Sequence, residues 1–195
     1  MLMNNIAIRA ATEADAAQIK EIYTPYVKDT AITFEYDVPP VEEFATRITR
    51  VLKRYPYLVA ELDGQIIGYA YASAFRPRAA YDWAVETSIY LRQDCQGEGL
   101  GKKLYLHLEE ILKKQQILNL YACVAYTEKD DPHLNNASIA FHERLGYEMI
   151  GHFTRCGYKY NTWYDMVWME KLIGGHRDDV KKVIPFAEVR AEFGL

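Results

Sequence analysis

The chain has 195 residues, half of them hydrophobic and 26% charged, an ordinary globular composition with length enough to bury one sizeable core. Its formal net charge of −4, with no long block of like charge, leaves no basic footprint for nucleic acid. No segment approaches the roughly twenty apolar residues of a membrane span, and the opening stretch MLMNNIAIRAATEAD has neither a basic leader nor a continuous apolar run.

The three cysteines, Cys95, Cys123 and Cys156, are odd in number and far apart, so they build neither a paired disulfide framework nor a Cys-x-x-Cys metal site. Reduced thiols in a cytoplasmic protein are expected, with no metal, no membrane and no nucleic-acid partner. One domain is expected over residues 1–173, followed by a tail over 174–195.

In chain order, NIAIRAA alternates around Ile6 and Ile8 as a first strand does. Thr12 then caps a helix whose apolar positions Ile19, Ile22, Tyr23, Tyr26 and Val27 fall at helical spacing, and Pro25 is expected to end or kink it. AITFEYDVPP reads as an extended aromatic loop, and Val41, Phe44, Ile48, Val51 and Leu52 mark a second amphipathic helix. YLVAELDGQIIGYAYAS is two apolar runs joined by Asp63-Gly64, a hairpin signal because a primed turn needs residues that tolerate positive φ. WAVETSIYL is a further strand, GLGKKLYLHLEEILKKQ a helix with Leu104, Leu108, Ile111 and Leu112 inward, LNLYACVAY a buried strand and NNASIAFHERLG a helix. YEMIGHF and WYDMVWME supply two last strands. The tail is polar and without clear period, left to wrap the core or a partner. This order predicts an α/β fold, a mixed and mostly antiparallel sheet flanked by helices.

Three glycines stand at every second position in CQGEGLG, where a strand hands over to a helix. A helix start there offers unpaired N–H groups, and a glycine-rich turn adds further amides, together a cradle for an anion. The spacing fits neither known phosphate fingerprint: Gln96 and Lys103 stand where a Walker A loop needs Gly and Ser or Thr, and Lys102 where a dinucleotide loop needs Gly. A plain tight turn answers the spacing as well as an anion site does.

QGEGLGKKL resembles the Gln-x-x-Gly-x-Gly/Ala motif of the GCN5-related N-acetyltransferase (GNAT) superfamily. TFEY, RYPYLVAELDG, RPRAAYDWAVETSIYL, ASIAFHERLGY and CGYKYNTWYD extend the likeness over residues 6–170 to its phosphinothricin and methionine-sulfone acetyltransferase branch. The resemblance implies an acyl-CoA N-acyltransferase fold, a sheet splayed between its fourth and fifth strands, acetyl-CoA as donor, a small amine bearing an acid group as acceptor, and a homodimer. It implies Glu86 as the base that frees the amine lone pair, since an ammonium cannot attack a thioester, and His142 as the group that assists the departing thiolate or the oxyanion.

The glycine loop, Gln96, Gly97, Glu98, Gly99, Leu100, Gly101 and Lys102, is implied to hold the coenzyme's pyrophosphate, with main chain at Tyr90 and Leu91 and side chains at Asn135 and Ser138 along the pantetheine. Asn and Ser are also ordinary helix-start residues. TEKDDPHL exceeds the branch's usual loop, so Asn136 competes for the Asn135 role. Phe34, Glu35, Arg76, Arg78 and Tyr81 are implied at the acceptor, the guanidinium forks suiting a carboxylate or phosphinate. Two other readings compete: an acyl-CoA sensor without catalysis, which has no need of Glu86 and His142, and transfer to a protein amine, which asks for an open acidic groove.

Overall fold

Seven strands, β1 (Ala7–Ala10), β2 (Tyr57–Leu62), β3 (Gln65–Ala74), β4 (Ala84–Leu91), β5 (Asn119–Tyr126), β6 (Glu148–Lys159) and β7 (Thr162–Leu172), form one sheet in the order β1-β2-β3-β4-β5-β7-β6. The computed structural model describes residues 6–195; Asn5 of the first predicted strand and the rest of residues 1–5 lie outside the described residues. Every neighbouring pair is antiparallel except β4 with β5. The mixed, mostly antiparallel sheet flanked by helices is the one expected.

Asp63 and Gly64, at φ 51° and 80°, make the primed turn between β2 and β3. A second such turn, Tyr160-Asn161 at φ 50° and 57°, joins β6 to β7 without a glycine. Sequence reading therefore stopped β6 at Phe153, whereas the strand runs on, through a break in register between Phe153 and Gly157, to Lys159.

The helices are α1 (Ala16–Asp29), α2 (Val41–Leu52), α3 (Leu100–Lys114), α4 (Ala137–Arg144) and the short α5 (Phe186–Val189). Thr12 opens a 3-10 turn into α1, where Asp15 Oδ2 accepts from the Thr12 amide at 2.7 Å while Arg9 holds both Asp15 oxygens at 2.8 Å. Pro25 does not end α1, which continues through it to Asp29. Proline removes one N–H bond, and the buried Ile22, Tyr23, Tyr26 and Val27 hold the turns on both sides of it.

The tail packs on this chain's own core. Phe186 is fully buried and Val189 nearly so. Gln115 Nε2 donates to the carbonyls of Arg54 and Ile184 at 2.8 Å each, and Trp83 Nε1 donates to the Lys181 carbonyl at 2.7 Å. A few anchors in an otherwise polar segment leave no period to read. No helix among the described residues is long and apolar enough to cross a membrane.

Candidate active site

The parallel partners β4 and β5 share a register over three pairs, Ala84 with Asn119, Val85 with Leu120 and Glu86 with Tyr121. Beyond Glu86 the strands part, and the cleft between them is lined by Thr87, Ser88, Ile89 and Tyr90 on one side and Ala122, Cys123, Val124 and Ala125 on the other. Asn135 just before α4, Ser138 and His142 of α4 and Tyr105 of α3 close it.

The glycine loop sits at the far end of β4. Gly97 and Gly99 take φ 82° and 83°, conformations a Cβ would strain, and Gly99 is the N-cap of α3 with no side chain capping it. The first N–H groups of α3 therefore lack intrahelical partners. Gly101 sits inside α3, where a Cβ would stand 3.1 Å from the Phe141 ring. Lys102 and Glu98 are exposed. Gln96 Nε2 donates to the Tyr26 hydroxyl at 3.0 Å, and that hydroxyl also binds the main chain of Leu91, donating to its carbonyl at 2.6 Å and accepting from its amide at 3.3 Å. The Leu91 amide is thus taken by Tyr26 and not left to a ligand.

Glu86 is half-buried, next in the chain to Thr87 of the cleft. Burial raises its carboxyl above the usual glutamate value, Arg76 pulls it back, and no hydrogen bond stabilises the charged form. Side chains alternate along strands, so Glu86, Ser88 and Tyr90 of β4 share a face with their register partners Ser73, Tyr71 and Tyr69 of β3. On that face a cavity of about 540 Å³ opens against α1 and α2. Tyr23, Tyr57, Tyr69, Tyr71, Tyr90 and Phe34 form its aromatic wall, with Ser73 beside Glu86.

His142 is buried, and its Nδ1 lies 2.7 Å from the Ser138 carbonyl. A carbonyl only accepts, so Nδ1 carries the proton, and Nε2 accepts from the Tyr105 hydroxyl at 3.1 Å. Burial lowers the imidazole pKa, with the Ser138 hydrogen bond opposing, which keeps the ring neutral. The Tyr105 hydroxyl also lies 3.3 Å from Thr87 Oγ1, the alternative acceptor of its single proton, and Thr87 lies 3.3 Å from the Tyr147 hydroxyl. Neutral His142 therefore has no free N–H to give; the donor beside it is Tyr105. Sequence reading missed Tyr105 because it sits among the inward residues of an amphipathic helix.

Asn135 lines the cleft, its Oδ1 accepting from the Ala137 amide at 3.1 Å. Asn136 instead binds both main-chain groups of Thr127, at 2.8 and 3.3 Å, and so ties the extra loop at its base. Phe34 and Glu35 stand in the cavity wall. Arg76, Arg78 and Tyr81 do not; they lie on the exposed connection before β4, with the Arg76 guanidinium 4.4 Å from the Phe75 ring centre and donating to the Phe75 carbonyl at 2.7 Å. Among these Arg76 alone is felt by Glu86. The guanidiniums lining the cavity are those of Arg47 and the exposed Arg50 of α2, Arg47 being the one bound to Glu35 at 3.1 Å and Glu43 at 2.9 Å. Its place one residue before inward Ile48 and three after Phe44 was the available signal.

Residues 8–168 match the family described as acetyltransferase (GNAT) domain. Phosphinothricin N-acetyltransferase of Streptomyces viridochromogenes is 33% identical over 85% of this chain and 87% of its own. The L-methionine sulfoximine/L-methionine sulfone acetyltransferase of Pseudomonas aeruginosa is 36% identical over 84% of this chain and 92% of its own. A solved phosphinothricin acetyltransferase of the GNAT superfamily from Sinorhizobium meliloti, in complex with AcCoA, superposes with a TM-score of 0.81 at 33% identity, covering 93% of this chain and 98% of that one. With its parted sheet and capless glycine turn, this chain belongs to the GNAT acetyltransferase family.

Proposed function

We propose that the protein transfers the acetyl group of acetyl-CoA to the amine of a small amino acid or amino-acid analogue, with Glu86 as general base. The observation that supports this reading is the parting of β4 and β5 directly after the half-buried Glu86, whose chain neighbour Thr87 lines the cleft and whose register partner Ser73 lines the cavity. The cleft and the glycine turn fit coenzyme A, because β4 and β5 are unpaired beyond Glu86 and the turn, with Gly97 and Gly99 at positive φ, leads into the uncapped start of α3. Residues 96–102, Tyr90, Asn135 and Ser138 would hold it. When bound, it supplies an acetyl group activated as a thioester.

Glu86, its pKa raised, takes a proton from the ammonium directly or through one water. The Tyr105 hydroxyl, turning its proton away from His142 Nε2, is the donor available to the departing thiolate, and His142 positions it. Arg76 is the proposed partner of the acceptor's carboxylate, a role supported by its electrostatic pull on Glu86. The test is thiol release from acetyl-CoA across L-amino acids, methionine sulfone, methionine sulfoximine and phosphinothricin. Turnover confined to such amines supports the reading. No turnover on any of them, with acetyl-CoA still raising the melting temperature, favours a binding module.

A homodimer completes the proposal. Ile150, Phe153, Tyr158 and Trp163 of β6 and β7 are between 43% and 59% exposed, an apolar surface on the outermost strands of the sheet. A second copy is the proposed cover. Light scattering at micromolar concentration should give twice the chain mass, and Trp163→Glu should give one chain; a wild-type monomer would refute the assembly.

A further inference from the structure

The cavity beside Glu86 is larger and differently walled than a small acidic acceptor requires. Its volume of about 540 Å³ falls within the range that takes drug-sized ligands. Tyr57, Tyr69 and Tyr71 lie nearly parallel, with centroids 4.8 Å apart for Tyr57–Tyr71 and 5.8 Å for Tyr57–Tyr69, and Tyr90 stacks on Tyr69 at 5.4 Å. Tyr23 meets Tyr90 edge-on at 4.9 Å. Such walls favour another ring, which can stack or meet them edge to face.

Charge points the same way. The acidic and basic residues lining the cavity are Glu35, Glu43, Arg47 and Arg50, two of each kind. Arg47 is already held by both carboxylates, so it is not a free fork for a phosphinate, and Arg50 is exposed to solvent. Glu35 Oε1 takes Arg47, while its Oε2 is buried without a hydrogen-bond partner among the described residues. A buried carboxylate oxygen left unpaired is costly, and an N–H or O–H donor from a ligand would satisfy it.

We infer that this cavity receives the acceptor's side chain and that the preferred acceptor is an amino acid or arylalkyl amine whose aromatic ring bears an N–H or O–H. The inference rests on the proposed acetyl transfer and names the acceptor class for that site. Ser73, register partner of Glu86 and part of the wall, is where the ring enters, with the amine left at the carboxylate.

The experiment compares kcat/KM for L-tryptophan, L-tyrosine, L-phenylalanine, methionine sulfone and phosphinothricin, alongside the thermal shift that each acceptor gives with coenzyme A present. Tryptophan and tyrosine should exceed the two small acceptors by about tenfold or more, as deleted hydrophobic contacts commonly cost, and should give the larger shifts. Ser73→Phe and, as a second filling variant, Val51→Phe should lower the ratio of aromatic to small acceptors by a similar factor. Methionine sulfone or phosphinothricin ahead of the aromatic acids in wild type overturns the inference and leaves acetyl transfer standing. An unchanged ratio in either folded variant also overturns it. No turnover of any amine overturns the transfer reading instead.

Discussion

Replacing Glu86 by glutamine lowers kcat about 10²- to 10⁴-fold and leaves the thermal shift on binding acetyl-CoA in place. Glutamine keeps the shape and the register partners Ser73 and Tyr121 but cannot accept the ammonium proton. The pH profile separates this from a packing defect. A base works deprotonated, so kcat/KM falls as pH drops through its pKa, which burial sets above the usual glutamate value against the pull of Arg76. Arg76→Met removes the positive charge, raises that pKa and moves the acid limb to higher pH. A limb that stays where it was in Arg76→Met would remove Glu86 from the role of base.

Phe186→Ala destabilises the protein by about 3–5 kcal/mol, the ordinary range for emptying a fully buried phenylalanine site. At this chain length that is a fall in Tm on the order of ten degrees, read by calorimetry. The buried Gln115, whose side chain donates to Arg54 and Ile184, is held by the same segment. Loosening the tail leaves those donors to water. A loss below about 1 kcal/mol would mean that the tail is a separable appendage.

Much of the fold was legible because it is written in periods. Alternation marked the strands, helical spacing marked Leu104, Leu108, Ile111 and Leu112, and Asp63-Gly64 marked its turn. What escaped depends on tertiary support. Pro25 is carried by packing on both sides, Tyr160-Asn161 adopts positive φ without glycine, and Phe186 anchors a segment with no pattern around it. The site divides in the same way. Phe34 and Glu35 reach the cavity because TFEY lies beneath α2, whereas the charged FRPRAAYDW loop puts Arg78 and Tyr81 outside it. Arg47 and Tyr105 were hidden among helix-face residues, and only the fold sets them facing a cavity and His142. The cavity's aromatic wall also fits transfer to a small amine better than the open acidic groove that a protein acceptor asks for.

The parting of β4 from β5 makes this sheet two wings, β1 to β4 and β5 to β7, latched at three residue pairs. An extended arm bearing amide groups, as the pantetheine of coenzyme A is, occupies such a gap as an added strand occupies an exposed edge. The donor is then a mechanical splice as well as a reactant. Amide hydrogen exchange along the facing edges of the two strands slows when it enters, and the acceptor cavity, walled by the first wing and tied to the second where Lys159 of β6 donates to the Thr33 carbonyl, stiffens with it.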